Sequence, residues 1–234
     1  MLKAELHIHT REDPEDTIDY SAKEIINKCS KLGYQVLSIT LHNKVFFSRD
    51  LESYAKKRGI LLIPGVEVDI EGKHILILNA KSGDPKKLNI FNDLKKIKDH
   101  AIIVAPHPYY FRSDCLGKEL DRHIDLFDAI EHHSLYIWTI NRNKKAARMA
   151  KKYGKTLVGM SDLHWKEYLG HTYSLIDAKP TRKSVLEAIK NGKVKVVSKP
   201  LPFWLFSKMA LRIVWNTFSG NYMRKKARIA RMHI

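Results

Sequence analysis

Residues 5–13 read ELHIHTRED, and this stretch decides which fold we predict. His7 and His9 stand two apart among apolar residues, a pattern typical of a β-strand, in which alternate side chains share one face with Cα atoms roughly 6.5 Å apart. Two imidazoles at that spacing can bind one metal ion, because Zn–N bonds measure about 2.0–2.1 Å. An isolated H-x-H pair is weak evidence, since structural histidines are common, so the prediction depends on what the other strands carry.

Short β-rich runs alternate with amphipathic stretches along the rest of the chain. We predict strands at residues 4–10, 36–40, 60–63, 73–79, 101–105, 127–130, 156–159, 173–176 and 194–197. We predict helices at residues 21–32, 50–58, 85–98, 137–153, 181–191 and 203–218. Such alternation is typical of α/β proteins with a parallel sheet, either open or closed into a barrel, and in barrels the functional residues lie where strands end.

Nearly every predicted strand carries a histidine or a carboxylate at its end. These residues are His7, His9, His42, Glu67, His74, His107, Glu131, Asp162 and His164. Because strand ends meet at one rim of a barrel, we expect these side chains to lie together. A rim of unrelated polar loop residues is the alternative, and the number of such strand ends favours a metal site. Imidazole and carboxylate ligands suit Zn, Mn or Fe.

The same residues fall in segments that resemble those of the PHP (polymerase and histidinol phosphatase) family. That family shows H-x-H-[ST], T-D-H-N, P-G-x-E, H-P and S-D-x-H segments. In this chain they read His7-Ile8-His9-Thr10, Thr40-Leu41-His42-Asn43, Pro64-Gly65-Val66-Glu67, His107-Pro108 and Ser161-Asp162-Leu163-His164, in the family order. The resemblance spans residues 7–164. It implies a distorted seven-stranded β/α barrel, related to the TIM barrel, with two or three divalent metal ions and phosphoesterase activity.

The resemblance also implies how the ligands are shared. One ion would be held by His7, His9, Glu67 and Asp162. Glu67 would bridge to a second ion that also binds His107, and a third ion would bind His42 and His164. In the segment of the fifth strand the implied ligand is Glu131, with His132 and His133 as alternatives. His74 would be a ligand or a residue that handles a proton.

Two departures from the family pattern affect the third ion most. The aspartate of T-D-H-N is replaced by Leu41, which removes a carboxylate that would orient a histidine ligand. The loop at residues 11–16 reads REDPED where many members have S-D-G. We expect Asp13 to supply the missing oxygen ligand, with Glu12 as the next candidate.

These features predict metal-assisted hydrolysis of a phosphorylated small molecule or a nucleic acid. A bound ion lowers the pKa of its water to about 7 and so supplies hydroxide at neutral pH. His74 or His164 would protonate the leaving oxygen, and Arg112 would grip a phosphate bidentately unless it is an ordinary surface arginine. The alternatives are a catalytically degenerate barrel that acts as an RNA-binding or ribonuclease P-like subunit, and a metal-dependent deacetylase or amidohydrolase.

The basic charge of the chain is concentrated at its end. The net charge is +17, and residues 199–234 contain eight Lys or Arg and no Asp or Glu. We therefore predict a barrel at residues 1–198 and a basic helical extension at residues 199–234. Residues 203–218 are too short and too charged to span a bilayer. We expect them to pack on the barrel, and residues 221–234 to contact RNA or an anionic membrane.

The chain shows no signal-peptide pattern at its N-terminus. Cys29 and Cys115 are its only cysteines, and two scattered thiols do not form a disulfide framework. Both observations predict a cytoplasmic protein.

Overall fold

The computed structural model describes residues 1–218, so the predicted RNA or membrane contact of residues 221–234 lies outside the described residues. The strands are β1 (Leu2–Ile8), β2 (Val36–Ile39), β3 (Leu61–Ile70), β4 (Lys73–Leu78), β5 (Ile102–Ala105), β6 (Ala129–His133), β7 (Thr156–Met160), β8 (Thr172–Ile176) and β9 (Val194–Ser198). The α-helices are α1 (Ala22–Lys31), α2 (Arg49–Lys56), α3 (Lys118–Arg122), α4 (Asn143–Lys152), α5 (Arg182–Lys190) and α6 (Phe203–Phe218).

The nine strands form one mixed sheet in the order β7-β6-β5-β4-β3-β2-β1-β8-β9. Strands β1, β2 and β3 are parallel, as are β5, β6 and β7. Strand β4 runs antiparallel to both its neighbours, because Glu71 and Gly72 turn the chain back at once with positive φ angles. The α/β class is confirmed, but the sheet is not all parallel, and the predicted count of seven strands is not confirmed.

The sheet curls until β7 approaches β8, which makes a nearly closed barrel. The Gly159 N–H donates to Ser174 Oγ at 2.9 Å, and that hydroxyl donates back to the Gly159 carbonyl at 3.0 Å. A Cβ atom at Gly159 would lie 2.6 Å from the Tyr173 carbonyl oxygen, so a glycine is needed for this close approach. Side chain and backbone thus join β7 to β8, which share no strand ladder.

The barrel interior is apolar at one end and polar at the other. Inward-facing residues of every strand except β9 form one apolar cluster, closed from below by α5. Along β3 the inward positions change from Ile63 to Glu67, and along β6 from Ala129 to Glu131. The antiparallel β4 shows the reverse order, from His74 to Leu76. Because side chains alternate along a strand, one end of the barrel collects titratable groups.

Strand β1 reaches this arrangement through a break in its pairing. Its register against β2 shifts between Glu5 and Ile8. Leu6 belongs to the interior cluster, whereas Ile8 packs in the cluster beneath α1 and α2. The shift leaves His7 and His9, both fully buried, at the polar end of the barrel.

Two predicted helices differ from those observed. Residues 85–98 form two 3₁₀ segments, Pro85–Lys87 and Phe91–Ile97, because the Asp93 carboxylate accepts from the backbone N–H groups just before it and competes with α-helical pairing. Helix α4 begins at Asn143, not at residue 137, because the Asn143 side chain bonds both backbone groups of His133. Within residues 1–218, none of the helices combines the length and apolar character that crossing a bilayer requires.

Candidate metal centre

Four side chains meet at the polar end of the barrel. His7 Nε2 and His9 Nε2 lie 3.2 Å apart. Glu67 Oε2 lies 3.5 Å from His7 Nε2 and 3.3 Å from His9 Nε2. Asp162 Oδ1 lies 3.3 Å from each of the two imidazole nitrogens. The structure thus brings together the four residues predicted for one metal position.

These separations fit a metal ion. Ligands bound tetrahedrally at about 2.0–2.1 Å are separated from each other by roughly 3.3–3.4 Å, close to the distances observed. Asp162 Oδ1 is buried and forms no hydrogen bond. Lone pairs of two imidazoles and two carboxylates aimed at one point repel each other unless a cation lies between them. The arrangement could therefore hold a divalent metal ion.

Glu67 also faces a second group of histidines. Its Oε1 lies 3.1 Å from His107 Nε2 and 3.1 Å from His74 Nδ1, and its Oε2 lies 3.2 Å from His42 Nε2. Ligand atoms of His42, Glu67 and His74 lie within 4.8 Å of one another. A carboxylate with each oxygen turned to a different imidazole set is the geometry expected of a bridge between ions.

A third group of ligand atoms comes from His9, Asp13, Asp16 and His42. Asp13 Oδ2 lies 2.9 Å from His9 Nδ1 and 3.1 Å from His42 Nδ1. The alternative candidate, Glu12, lies elsewhere and accepts from the Ala22 N–H at the start of α1.

His164 joins this third group through an aspartate that sequence reasoning missed. Its Nε2 lies 2.8 Å from Asp16 Oδ2, and its Nδ1 lies 3.2 Å from Asp162 Oδ1. The acidic run at residues 11–16 was the available signal for Asp16. Sequence alone could not tell which of its carboxylates turns inward.

Glu131 is fully buried but stands behind the ligands. Its Oε1 lies 3.4 Å from His7 Nδ1, and its Oε2 accepts from the His107 backbone N–H. Glu131 belongs to none of the three ligand groups found among the described residues. It can fix the orientation and tautomer of His7, as carboxylates behind histidine ligands do.

The two alternatives to Glu131 are placed differently. His133 Nδ1 lies 3.5 Å from Glu131 Oε1, so this imidazole is also behind the ligands. His132 packs against Tyr136, and burial lowers its pKa to about 4.

The loop after β7 is held in an unusual conformation. Asp162 has a φ of 49°, in the left-handed region that non-glycine residues rarely adopt. The Tyr168 hydroxyl donates to the Asp162 carbonyl at 2.5 Å and accepts from the His164 N–H at 2.7 Å. The Tyr20 hydroxyl donates to the Leu163 carbonyl at 2.5 Å. Two buried tyrosines therefore fix the backbone that aims Asp162 and His164.

Glu5 forms a second buried carboxylate network that sequence reasoning missed. It accepts from the Ser161 N–H at 2.9 Å and the Ser161 hydroxyl at 2.5 Å, and so ties β1 to the end of β7. Burial raises the pKa of Glu5 to about 7, and the bonds from Ser161 only partly offset this effect. A carboxylate within an apolar strand was visible in the sequence, but its partner lies 156 residues away.

The electrostatics of the cluster favour positive charge at its centre. Burial acts to raise the pKa of Glu67, but the His74 and His7 imidazoles outweigh it and hold that pKa well below its usual range. Burial likewise acts to raise the Asp162 pKa, and His164 and His7 hold it well below its ordinary value. Burial acts to lower the pKa of His7, yet Asp162 and Glu67 hold it well above its ordinary value. Such a site attracts protons or metal cations.

Arg112 lies at the outer edge of the cluster. Its Nε and Nη2 bind the Asp114 carboxylate, with Nη2 2.5 Å from Asp114 Oδ2. Asp114 Oδ2 in turn lies 3.8 Å from His74 Nε2. The guanidinium is therefore tied towards His74, although more than half of its side chain is exposed.

Three comparisons relate this chain to known proteins. Residues 141–194 match the family model for PHP-associated segments. The chain is 29% identical over 146 residues to the uncharacterized protein MJ1587 of Methanocaldococcus jannaschii, an alignment that covers 58% of this chain and 83% of that protein.

Two solved structures share the fold. One is a two-domain protein of Bacteroides vulgatus that contains a predicted PHP-like metal-dependent phosphoesterase, with a TM-score of 0.65, 17% identity and coverage of 84% of this chain. This chain spans 64% of that protein's length. The other is an amidohydrolase of Chromobacterium violaceum with bound sulfate, with a TM-score of 0.52, 14% identity and coverage of 86% and 94% of the two chains. The PHP-associated match and the fold shared with a PHP-like protein both support the resemblance of this chain to the PHP domain family.

Proposed function

We propose that the protein is a metal-dependent hydrolase of phosphoesters, either a phosphatase or a phosphodiesterase. One observation carries the proposal: ligand atoms of His7, His9, Glu67 and Asp162 converge at 3.2–3.5 Å, and Asp162 Oδ1 is buried without a hydrogen bond. Two adjoining ligand groups share members with this set, which supports a site with two or three Zn, Mn or Fe ions. The two-domain Bacteroides protein supports the phosphoester chemistry.

Divalent ions held there would activate a water molecule for attack and neutralise charge on the phosphoryl oxygens. The protein's own part begins with Glu67, whose two oxygens face different histidine groups and so set how far apart the ligand sets lie. The Glu131 carboxylate lies beside His7 Nδ1 and can accept a hydrogen bond from it, which leaves His7 Nε2 facing the centre of the site. Asp16 holds His164 from the outer side.

His74 is our candidate for the group that protonates the leaving oxygen. Its Nδ1 faces Glu67, while its Nε2 lies towards Asp114 at the mouth of the site. Both ring nitrogens of His164 are already engaged, by the Asp162 carbonyl at 2.9 Å and Asp16 at 2.8 Å. His74 Nε2 is thus the better placed of the two to hold a proton for an arriving substrate.

Arg112 is our candidate for the phosphate-binding group. Its hydrogen bonds to Asp114 use Nε and Nη2, which leaves Nη1 to donate to a phosphoryl oxygen. The pair with Asp114 also holds the guanidinium beside His74, so that one substrate could contact both residues.

The proposal is tested by metal analysis and a hydrolysis panel. The panel contains phosphomonoesters, phosphodiesters, short oligonucleotides and an amide substrate, each with added Mn²⁺ or Zn²⁺. We expect bound metal and phosphoester hydrolysis in the unmodified protein, and loss of both in Glu67→Gln. Glu119→Gln is the matched control, because Glu119 pairs with Arg122 on the surface. Amide hydrolysis alone, or full phosphoesterase activity in Glu67→Gln, would contradict the proposal.

The role of His74 has its own test. In His74→Asn we expect the rate with a poor leaving group, such as an alkyl phosphate, to fall by about 10²–10⁴-fold. With p-nitrophenyl phosphate the loss should be much smaller, because that leaving group needs no proton. Retained metal content separates this role from that of a ligand, and equal losses on both substrates would refute it.

A further inference from the structure

Helix α4 and the residue before it carry six basic side chains and no acidic one. These are Arg142, Lys144, Lys145, Arg148, Lys151 and Lys152, which we call the basic face. Helices α1, α2, α3 and α5 each contain at least one Asp or Glu. Within residues 1–218, no member of the basic face forms an ion pair with a carboxylate, whereas Arg122 on α3 and Arg182 on α5 do. The positive charge of this surface is therefore available to a polyanion.

The basic side chains of α4 share one side of the helix. At 3.6 residues per turn, positions 144, 145, 148, 151 and 152 lie within an arc of about 120°. The buried residues Ala146, Met149 and Ala150 lie on the other side and pack against the barrel. The exposed side of α4 thus offers charge and no large apolar side chain, which does not suit a hydrophobic partner.

Aromatic rings lie among these cations. The Arg142 guanidinium lies 3.5 Å from the centre of the Phe111 ring, and Lys145 Nζ lies 4.1 Å from the centre of the Tyr109 ring. Phe111 is 80% exposed, so the ring face turned away from Arg142 is open. Proteins that bind single-stranded nucleic acids combine basic side chains for the backbone with aromatic rings on which bases stack.

The basic face begins at the mouth of the candidate metal centre. The Asn143 side chain, at the start of α4, bonds the His133 backbone at the polar end of β6. Phe111 directly precedes Arg112, our candidate for the phosphate-binding group. Because α4 connects the parallel strands β6 and β7, it runs back along the outside of the barrel, and its ten residues extend about 15 Å from the mouth.

We propose that the basic face binds the backbone of a single-stranded nucleic acid, with one base stacked on Phe111 and the adjoining phosphodiester at the metal centre. A bilayer fits less well, because the exposed side of α4 has no apolar side chains to insert. A duplex also fits less well, because its bases are already stacked and cannot reach Phe111. Binding along α4 does not depend on hydrolysis, whereas the position of the phosphodiester rests on the proposed function.

The first test is binding of labelled, hydrolysis-resistant phosphorothioate oligonucleotides, DNA and RNA, to the full chain with its metal. Fluorescence anisotropy at several salt concentrations gives the affinity and its salt dependence. We expect the logarithm of the affinity to fall with the logarithm of the salt concentration by about 0.7 for each phosphate contact. Poly-glutamate, a DNA duplex and anionic phospholipid vesicles are measured in parallel.

Lys144→Ala/Arg148→Ala/Lys151→Ala should weaken oligonucleotide binding by about tenfold or more at low salt and lower the salt slope by about 2. Alanine favours the helix, so the variant should fold, and circular dichroism and metal content check this. Lys31→Ala/Lys56→Ala/Lys57→Ala is the matched control, because it removes the same charge from exposed positions at the ends of α1 and α2. It should leave both the affinity and the slope unchanged.

The stacking contact has a separate test. Phe111→Leu keeps an apolar side chain but removes the ring, and it should weaken oligonucleotide binding by about tenfold without changing the salt slope. Phe111→Trp restores a ring and should bind as tightly as the unmodified protein.

Three results would overturn the proposal: equal weakening by the two alanine triples, equal binding of poly-glutamate or duplex, or binding to vesicles but not to oligonucleotides. A protein that hydrolyses small phosphoesters but binds no oligonucleotide would contradict this inference alone. A protein that binds oligonucleotides along α4 but hydrolyses no phosphoester would support the basic face and contradict the proposed function.

Discussion

Leu41 replaces an aspartate that would orient a histidine ligand. Asp13, in the loop after β1, supplies a carboxylate contact of that kind. Its Oδ2 lies 2.9 Å from His9 Nδ1 and accepts from the His42 N–H at 3.1 Å. The Leu41 side chain is fully buried in the apolar cluster under α1 and α2, where a carboxylate would have no partner. Leu41, which stands where the family pattern has aspartate, therefore contributes to apolar packing. Asp13 can orient two of the candidate ligands, His9 and His42.

This arrangement predicts that Asp13→Asn lowers metal affinity. The asparagine amide is neutral and has one acceptor oxygen, so it orients the two imidazoles less well than the carboxylate does. We expect metal affinity to fall by about 10–100-fold, measured by titration of the apoprotein with Zn²⁺ or Mn²⁺. Glu12→Gln is the matched control in the same loop, because Glu12 faces the start of α1. Equal effects of the two substitutions would contradict the assigned role.

Sequence reasoning found the candidate site where motif and strand coincide. His7, His9, Glu67 and Asp162 were predictable as a set because each lies in or just after a strand and has recognisable neighbours. Glu5 and Asp16 were not. Their partners, Ser161 and His164, are about 150 residues away in sequence, and only the folded barrel brings them close.

At the scale of elements, capping explains which boundaries could be predicted. Helix α1 was predictable because Ser21 and Glu24 form a capping box. The region at residues 85–98 has helical composition, but the Asp93 carboxylate accepts from two backbone N–H groups that one continuous helix would use. Helix α4 is shorter than predicted because the Asn143 side chain bonds the His133 backbone on β6. The sheet is mixed for two reasons: the tight hairpin at Glu71-Gly72 reverses β4, and β8 runs antiparallel to both β1 and β9.

The segment Ser161–His164 depends on Tyr168, so Tyr168→Phe should affect both folding and metal binding. Removing the hydroxyl leaves the buried Asp162 carbonyl and the His164 N–H without their partner, at a cost of about 1–3 kcal/mol each. We expect a lower urea midpoint and weaker metal binding in the same variant. Tyr54→Phe removes a hydroxyl that bonds Asn27 on the far side of α1 and should leave metal binding unchanged. Normal metal affinity in Tyr168→Phe would show that the loop is held by other contacts.

At the scale of the whole molecule, the candidate metal centre buries several carboxylates close together, and their mutual repulsion destabilises the fold unless a cation neutralises them. Buried carboxylates from β3, β6 and the loops after β1 and β7 converge at the polar end of the barrel. Chelation should therefore lower the melting temperature. Metal at about a thousand times its dissociation constant adds roughly 4 kcal/mol, and removing it should cost several degrees or more. Calorimetry before and after treatment with EDTA measures this, with Glu67→Gln as the control that should respond far less. A melting temperature indifferent to chelation would argue against a resident ion.

The candidate site is complete only when the barrel closes, and closure requires the close approach of β7 to β8 at Gly159. Strands β7 and β8 share no ladder, so the approach of Gly159 to Ser174 and Tyr173 holds Asp162, three residues later, beside His7 on β1 and His9 just after it. A Cβ at this position would meet the Tyr173 carbonyl at 2.6 Å and the Val196 side chain at 3.0 Å. Because one of these atoms is backbone, Gly159→Ala should force β7 and β8 apart and cost about 1–3 kcal/mol.

Hydrogen exchange in Gly159→Ala should quicken along β7 and β8 while the amides of β2 and β3 stay protected. The affinity for metal should fall as well, because Asp162 moves away from His7 and His9. Gly83→Ala is the matched substitution, since a Cβ there meets nothing within 4 Å, and it should change neither property. If the amides of β7 and β8 exchanged faster in Gly159→Ala but the variant bound metal as tightly as the unmodified protein, the metal centre would not depend on closure of the barrel.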